Sequence, residues 1–564
     1  GGVLATLTRT LTLADGEGRL AIPAADLAPD GFPGGRSVVQ VIVRDPATGA
    51  TLQWGWAGLD APKAASLTGL RPNAAVYREG DTMSLVARAA GDLAGITVRV
   101  RFGDDLGRLR AVEEAPARGE RTFFHRLDHV LGKRLVVSAE LVDARGRLVD
   151  ELRHEPIVVA ARERRQRDYR GLLSFETPVH YFAERRLRLL RERAMDTSFT
   201  WGGEVNDELH MPRGWFGVYW YDRGPTTPEG LEKAIAEFQG TGDVGSLAYL
   251  VKKELYRRTG ETRFLVRNPS FDDPQVQRRL FDLARTSARS KAVYNMDYYF
   301  VGDEGSLGSY ADAVDFCWGT HTLAGFRSWL REQYGSLEAL NRSWGSAFPD
   351  WEAVLPLTTE AARREARFAP WADHRTYMEV SFARAYETVR RGVQEGDPEG
   401  RIALSGTQVT NPWNGCDWHR LDAVIDDFLS YSGGNQWDIH RSFAKPDARI
   451  GFWTGYGRSG AAVKHEVWTA ALQGVLHPQL FWSPSILNPD MTFSRSGRDL
   501  GEAFRALRFE GIGRLLMEAE RLDDSVAVHY SMPSVHAAGV LGHHDREEAR
   551  KGGTSFPANR DGWV

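Results

Sequence analysis

Hydrophobic and polar residues alternate in short runs through roughly the first 160 residues of the chain. Examples are SVVQVIVRD (37–45) and DTMSLVARA (81–89), and glycine, aspartate and asparagine punctuate the runs. A period of two with frequent turn residues predicts antiparallel β-sandwich modules. A break near LDAPKAASLTGLRPN (59–73) divides the region into an incomplete β-sandwich module over 1–68 and an immunoglobulin-like one over 69–160.

From residue 171 the pattern changes to strand-like runs that alternate with helices of i, i+3, i+4 apolar spacing. Eight such units predict a (β/α)₈ TIM barrel over 171–520, whose chemistry would lie at the C-terminal ends of its strands. The eight predicted strands are GLLSFE, DTSFTW, WFGVYWY, AVYNMDYYFVG, RIALSG, DFLSYSG, RIGFWTGY and QLFWSPS.

The fourth predicted strand ends in two carboxylates, Asp303 and Glu304, within the stretch YYFVGDEGSLGSY (298–310). The four letters GDEG alone are typical of an exposed acidic turn, but a barrel strand end favours a catalytic interpretation. Hydrolysis of a glycosidic bond needs two carboxyl groups that flank the bond. Because neighbouring strand residues point to opposite faces, Asp303 and Glu304 are not that pair, and a second carboxylate is expected elsewhere.

The block FRSWLREQYGSLEALNRSWGSAFPDW (326–351) resembles glycoside hydrolase family 42, the β-galactosidase-like enzymes of clan A. In that family an Asn-Glu strand end precedes a Phe-Arg-x-Trp-Leu helix and a YG(S/T)LxxLNxxWG segment. Weaker similarity includes VWTAALQGVLHPQLFW (467–482) and VAVHYSMPSVHAAG (526–539), and the latter resembles the start of a flavodoxin-like trimerisation module, expected over 525–564. The resemblance implies a glycosidase that acts on an oligo- or polysaccharide and assembles as a homo-oligomer, a trimer in the family.

The resemblance also assigns roles to residues at the strand ends. Glu304 takes the place of the general acid/base, and Asp303 replaces the asparagine that contacts the sugar 2-hydroxyl. An ionised aspartate only accepts hydrogen bonds, whereas asparagine also donates, so recognition at that hydroxyl is expected to differ.

The family's nucleophilic glutamate is missing from the seventh predicted strand, because RIGFWTGYGRSG contains no acidic residue. The nearest acid is Glu466, and the alternative interpretation is a surface charge on the following helix. Other acids near predicted strand ends are Glu176, Glu204, Asp222, Asp417 and Asp438. Three alternatives stay open: a relocated nucleophile, an inverting or substrate-assisted reaction, or a non-catalytic carbohydrate-binding or scaffold protein with a degenerate barrel.

Sugar-binding candidates follow from their places near strand ends. In LVRNPSF (265–271), Arg267 and Asn268 are expected to hold hydroxyl groups, with an ion pair as the alternative for Arg267. Aromatic faces at a barrel mouth stack on sugar C–H faces. The remaining candidates are Trp220, Tyr431, Asn435, Asp438, Trp453, Tyr456 and Trp482.

The composition limits the kinds of molecule that the protein is expected to bind. A net charge of −4 provides no basic surface for nucleic acid or anionic lipid, and no apolar run is long enough to span a membrane. The two cysteines, Cys317 and Cys416, exclude a disulfide framework and predict buried thiols. GHHD (542–545) contains metal-ligand residue types without a recognised spacing, so neither a metal nor a cofactor is expected. The accessory sandwiches favour a bacterial extracytoplasmic location.

Overall fold

A computed structural model of the chain describes most residues from 35 onward, in two compact units, Gly1–Arg162 and Glu163–Val564. The described residues are 6–10, 21–23, 26, 35–61, 63–78, 80–104, 109–128, 134–154, 156–160, 171–174, 189–190, 192–199, 224–225, 227–238, 244, 247–294, 296, 298–303, 305–308, 313–407, 410–431, 436–454, 459–476, 479–482, 486–519, 525, 527 and 529–541. No described helix combines the length and the apolar character that crossing a membrane requires.

The first unit is built from antiparallel strands. Its described strands are β1 (Gly35–Arg44), β2 (Thr51–Ala61), β3 (Ala65–Pro72), β4 (Val76–Arg78), β5 (Thr82–Gly91), β6 (Thr97–Asp104), β7 (Leu109–Pro116), β8 (Glu120–Arg126), β9 (Arg134–Val142), β10 (Leu148–Arg153) and β11 (Ile157–Ala160). Strands β3, β5 and β8 form one sheet, and β4, β11, β9, β6 and β7 form another, with β10 paired to β9. Pairing is antiparallel except between β4 and β11.

The two larger sheets of this unit share one hydrophobic core. Alternate residues of β5, Met83, Leu85 and Ala87, are buried and pack with Val100 and Val137 of the other sheet. This is the two-layer arrangement that period-two alternation produces. Strand β3 crosses the predicted module boundary at residue 68, so the sandwich begins no later than Ala65.

The remaining two strands, β1 and β2, form a separate antiparallel hairpin. Among the described residues of the predicted module over 1–68, β1 and β2 are the strands that lie outside the sandwich. Trp54 and Trp56 project from one face of β2 and are 64% and 63% exposed. The described part of 1–64 therefore contains a hairpin, and the incomplete sandwich module expected over 1–68 stays a prediction.

The second unit contains seven described parallel strands in one sheet. They are β12 (Gly171–Ser174), β13 (Met195–Phe199), β14 (Tyr299–Asp303), β15 (Ile402–Thr407), β16 (Asp427–Tyr431), β17 (Arg449–Thr454) and β18 (Gln479–Trp482). Their spatial order, β13-β12-β18-β17-β16-β15-β14, follows chain order with the first strand paired to the last. This is the order of a (β/α)₈ barrel. Seven of the eight predicted strands are thereby found, and WFGVYWY (215–221) lies outside the described residues.

Helices connect these strands, as parallel pairing requires. The described α-helices of the unit are α1 (Pro228–Phe238), α2 (Tyr249–Thr259), α3 (Pro274–Lys291), α4 (Thr320–Tyr334), α5 (Leu337–Trp344), α6 (Thr359–Glu365), α7 (Ala369–Gly396), α8 (Trp418–Val424), α9 (Gln436–Phe443), α10 (Ala461–Leu472), α11 (Arg495–Phe509), α12 (Ile512–Met517) and α13 (Met532–Val540). Short 3₁₀ turns occupy Thr262–Leu265 and Ala292–Tyr294. The longest helix, α7, lies directly on α3, where Gly392 leaves no space for a side chain: a Cβ there would be 2.5 Å from the Phe281 carbonyl oxygen.

The N-terminal ends of the strands are joined by buried charges. Asp427, the first residue of β16, is fully buried and accepts hydrogen bonds from Arg449 Nε at 2.9 Å and Arg401 Nη2 at 2.8 Å. Burial alone would raise the pKa of Asp427, but the two guanidinium groups outweigh it and hold that pKa below its ordinary value. Arg401 also binds Asp447 at 2.8 Å, so three consecutive strand starts are connected.

The C-terminal part of the described chain contains a helix that the sequence analysis did not predict. VAVHYSMPS (526–534) was expected to begin a flavodoxin-like module, which stays a prediction, and residues 532–540 form helix α13, capped by the Ser531 hydroxyl. Pro533 occupies the first turn of α13, where it is compatible with a helix. Helix α13 packs on α6 and α7.

Candidate active site

The candidate site begins where β14 ends. Asp303 is the last residue of β14 and pairs with Ser405 of β15. Glu304 follows it in the chain and, like the Asp303 side chain, lies outside the described residues. The strands are parallel and the sheet has barrel order, so β14 ends on the same side as the other strands, as a barrel active site requires.

The segment after Glu304, residues 305–308, is buried and held by two neighbouring loops. The Leu307 amide donates to the Asn414 carbonyl oxygen at 2.9 Å, and the Cys416 thiol donates to the Gly305 carbonyl oxygen at 3.4 Å. A side chain at Gly305 would collide with the Tyr386 hydroxyl. The backbone that leaves the candidate acid therefore fills a closely packed space.

Arg267 is placed against this segment. It is 2% exposed, its Nε donates to the Leu307 carbonyl oxygen at 3.0 Å, and its Nη1 donates to the Pro269 carbonyl oxygen. Its guanidinium carbon lies 3.9 Å from the centre of the Phe271 ring. Asn268 is exposed and precedes Pro269 through a cis peptide bond. The described contacts of Arg267 are thus with backbone carbonyls and an aromatic ring, and the sugar contact or ion pair expected from the sequence stays a prediction.

A layer of buried polar side chains on α7, which the sequence analysis missed, lies behind the loops after β14 and β15. His374 is fully buried, its Nε2 is 3.2 Å from the Cys317 carbonyl oxygen, and burial together with adjacent Arg375 lowers its pKa well below the ordinary value. Glu379 is 2% exposed and binds His536 of α13 at 2.7 Å. Burial raises the pKa of Glu379, and His536 opposes the rise.

This layer is difficult to detect in the sequence because α7 reads as an ordinary amphipathic helix. One signal is available in retrospect: His374, Arg375 and Glu379 interrupt the apolar face that faces the barrel. Charged residues are seldom fully buried unless they are paired, so an interrupted apolar stripe indicates a polar layer.

Strand β17 carries Phe452 and Trp453 just before it ends. Phe452 packs among residues of α10 and α11. Adjacent Trp453 therefore points to the opposite face, the barrel interior, and it is 2% exposed. The sugar contact predicted for Trp453 stays a prediction. Strand β17 ends at Thr454 without a carboxylate.

Glu466 occupies a different layer. It lies on α10, is 6% exposed, and shares the buried face of that helix with Val463 and Val467, which belong to the same core cluster as Phe452. This placement puts Glu466 between the helix and the sheet, on the opposite side of β17 from Trp453. The catalytic role predicted for Glu466 stays a prediction.

Two further acidic candidates have structural partners. Asp417 caps α8, where its Oδ1 accepts the His419 amide at 3.1 Å and the Tyr530 hydroxyl at 3.1 Å. Asp438 lies on α9 and not at the end of β16, and it forms an ion pair with Arg441 on the helix surface.

The other predicted site residues are described only in part or not at all. Tyr431 and Trp482 are the last residues of β16 and β18, and their side chains are outside the described residues. Trp220, Asn435 and Tyr456 also lie outside them, as do Glu176, Glu204 and Asp222.

Both thiols are buried, as predicted: Cys317 is 4% and Cys416 1% exposed, and burial raises the pKa of Cys317 to about 11. Within the described part of the chain, no three His, Cys, Asp or Glu side chains are arranged to hold a metal ion. GHHD (542–545) is outside that part.

Comparison with known proteins connects this barrel to one family. Residues 308–452 match the model of glycoside hydrolase family 42, described as beta-galactosidase. A curated relative, beta-galactosidase LacZ of Heyndrickxia coagulans, is 25% identical over 150 residues, which are 24% of this chain and 22% of the relative.

Solved structures of similar proteins include two further beta-galactosidases. The cold-adapted enzyme of Rahnella sp. R3 is 13% identical with a TM-score of 0.46, over 66% of this chain and 60% of that one. The enzyme of psychrophilic Marinomonas ef1 is 13% identical with a TM-score of 0.41, over 62% of both chains.

The matched region has definite limits. The chain spans about a fifth of the curated relative and about three fifths of these solved structures. The family match begins at residue 308, after Glu304, and ends at 452, before the end of β17. It includes the 326–351 block, so the resemblance predicted from that block is confirmed. In residues 308–452 the chain is similar to glycoside hydrolase family 42.

Proposed function

We propose that the protein hydrolyses a β-galactoside-like glycosidic bond in an oligo- or polysaccharide, with Glu304 as general acid/base. The observation that carries this proposal is the end of β14 at Asp303 in a parallel sheet of barrel order. Glu304, the next residue, follows a strand end on the side where barrel enzymes place their catalytic groups. The family match beginning four residues later supports the same reaction class.

In this reaction Glu304 protonates the leaving-group oxygen as the bond to the sugar breaks. A general acid has to keep its proton near neutral pH, and a neighbouring negative charge favours the protonated form. Asp303 supplies such a charge. It also takes the place of an asparagine in the related enzymes, so we expect it to accept, and not to donate, a hydrogen bond at the sugar 2-hydroxyl.

The second carboxyl group, we infer, is Glu176, Glu204 or Asp222. The described alternatives have other places: Glu466 in the helix–sheet layer, and Asp417 and Asp438 in a helix cap and a surface ion pair. Glu176, Glu204 and Asp222 follow the first three predicted strands, whose C-terminal ends face the same barrel mouth.

The test is turnover of aryl β-galactosides and β-linked oligosaccharides by the full chain, with each of Glu304, Glu176, Glu204, Asp222 and Glu466 changed to alanine in turn. Azide added to a variant that lacks the acid/base should give a product of retained configuration, and added to a variant that lacks the nucleophile a product of inverted configuration. Glu466→Ala is expected to keep the wild-type reaction. Full turnover in Glu304→Ala on a substrate with a poor leaving group would refute the acid assignment.

A second function, carbohydrate binding without cleavage, is favoured by one observation. Strand β17 ends at Thr454, and no residue from 449 to 465 is acidic. A glycan array combined with a reducing-sugar assay separates the two functions. Binding without release of reducing ends at high protein concentration would support this second function, and release would exclude it.

The substrate cleft, we propose, is completed by the aromatic and amide side chains near the strand ends: Trp220, Tyr431, Asn435, Tyr456 and Trp482. Alanine variants that raise KM for an oligosaccharide more than for an aryl glycoside would identify those that contact the distal sugars. A residue whose alanine variant changes KM for neither substrate does not belong to the cleft.

Location and assembly are also proposals. We propose an extracytoplasmic bacterial location, because β-sandwich modules accompany the barrel, and a homo-oligomer, because the related β-galactosidases are trimers. Fractionation of the producing cells tests the first, and light scattering tests the second. A monomeric mass at high concentration would contradict the oligomer.

A further inference from the structure

The loop before α3 and the loop after β15 both hold residues 305–308, which follow the proposed acid. We propose that Arg267 is a positioning residue for Glu304: it acts through the backbone of this segment and does not contact the sugar. The inference rests on the proposed function of Glu304 and adds a residue to it.

The position of the guanidinium group is the first step. Arg267 is 2% exposed, and its Nε donates to the Leu307 carbonyl oxygen at 3.0 Å, three residues from Glu304. Its Nη1 donates to Pro269 within its own loop, and its planar face lies over Phe271. The side chain is thereby fixed at several points, and a fixed planar donor holds an acceptor more precisely than a flexible one.

The opposite side of the segment is fixed independently. The Leu307 amide donates to the carbonyl oxygen of Asn414, a residue that is itself fully buried. Leu307 therefore has its carbonyl held by one loop and its amide by another. Gly308 approaches Tyr249 so closely that a Cβ would lie 2.9 Å from the Tyr249 hydroxyl. Because close packing leaves little free space, the segment cannot shift slightly without displacing its neighbours.

Catalysis explains why such a hold matters. A general acid has to stand within about 2.6–3.2 Å of the atom that it protonates, and a displacement of about 1 Å can reduce the rate about 10²-fold. Glu304 is joined to Gly305 by a peptide bond, so a shift of 305–308 moves its backbone. Loss of the Arg267 contact should therefore weaken proton donation and leave sugar binding unchanged.

The test compares Arg267→Lys and Arg267→Met with Arg263→Met. Arg263 is an exposed arginine of the preceding turn, paired with Glu261, and it serves as the matched control. For each protein, kcat/KM is measured with an aryl glycoside of poor leaving group and with the 2,4-dinitrophenyl glycoside, whose departure needs no proton. Amide hydrogen exchange of the peptide that contains 305–308 is measured on the same samples.

We expect Arg267→Met to lower kcat/KM about 10- to 10²-fold on the poor leaving group and less than about 3-fold on the dinitrophenyl glycoside, with KM unchanged. Arg267→Lys should recover part of the loss, and exchange over 305–308 should accelerate in Arg267→Met but not in Arg263→Met. Equal losses on both substrates, or a raised KM, would overturn the inference in favour of sugar contact or general destabilisation.

Unchanged exchange over 305–308 would overturn the inference whatever the activities show. Glu304→Gln, assayed in parallel, tests the proposed function separately. Wild-type turnover in that variant refutes the acid assignment, whereas the exchange result decides whether Arg267 holds the segment.

Discussion

The N-terminal ends of strands β15 to β17 and the C-terminal end of β14 carry different kinds of polar residue. At the N-terminal ends, Asp427 is enclosed by Arg401 and Arg449, so opposite charges neutralise one another in the protein interior. At the C-terminal end of β14, Asp303 and Glu304 are two acidic residues in sequence. One arrangement satisfies its charges within the fold, and the other is a pair of residues with charges of the same sign.

The difference indicates a division of tasks between the two ends of the sheet. In barrels of this order the N-terminal face serves stability and the C-terminal face serves chemistry. A buried carboxylate that is already paired with two arginines is not available for chemistry. Adjacent carboxylates raise each other's proton affinity, which is useful in an acid catalyst and unfavourable for folding. Variants at the two ends should therefore separate stability from activity.

The largest expected effect is on stability, from Asp427→Ala. The change leaves two buried guanidinium groups without their shared carboxylate, and we expect a loss of about 3–5 kcal/mol in the free energy of unfolding. Because the pKa of Asp427 is lowered in the fold, its contribution is present above its ordinary value of 3.8 and is lost as pH falls through the lowered value. Urea unfolding at several pH values measures this, and the gap between variant and wild type should narrow in acid.

At the opposite end, Glu304→Gln should reduce kcat about 10²-fold or more on a substrate with a poor leaving group. The free energy of unfolding should change by less than about 0.5 kcal/mol, because the glutamine side chain has nearly the same size and shape as glutamate. Steady-state kinetics and urea unfolding on one preparation test both halves. A strongly destabilised but active Glu304→Gln would reverse the comparison.

A smaller loss of stability is expected from Gly392→Ala on α7. A Cβ at this position would stand 2.5 Å from the Phe281 carbonyl oxygen of α3, so the two helices would have to separate. Overpacking of this kind typically costs about 1–3 kcal/mol. Arg391→Ala, on the exposed side of the same helix, is the control and should be close to neutral. Equal unfolding midpoints for the two variants would contradict this contact.

Much of the barrel was predictable from sequence because its signals are local. Buried parallel strands such as RIALSG and QLFWSPS read as short apolar runs, and the structure places strands at Ile402–Thr407 and Gln479–Trp482. The helix pattern of 326–351 similarly became α4 and α5, which end at Gly335 and Gly345.

The surroundings of the site were less predictable, because they depend on contacts between distant residues. Arg267 meets Leu307, and Glu379 meets His536, only after the chain has folded, and no local pattern encodes either pair. The helix at 532–540 was likewise not predicted: its apolar run VHAAGV suits a strand or a buried helix equally, and packing on α6 and α7 selects the helix.

The smallest expected effect concerns this helix, α13, which His536 attaches to Glu379 of α7. His536→Ala leaves Glu379 buried without that partner, which should raise the pKa of Glu379 further above its ordinary value of 4.5. A carboxyl group whose pKa is raised in the fold contributes stability at low pH and loses it as pH rises through the raised value. The variant should therefore be nearly neutral near pH 4 and lose about 1–3 kcal/mol of local stability near pH 8.

Hydrogen exchange over 532–540 at the two pH values measures this, with exposed His529→Ala as the control. Asp427→Ala should also weaken the fold most at the higher pH, so the two variants are distinguished by where exchange accelerates. In His536→Ala, exchange should accelerate in α13 alone. Acceleration throughout the barrel would show that the contact between His536 and Glu379 supports the whole fold.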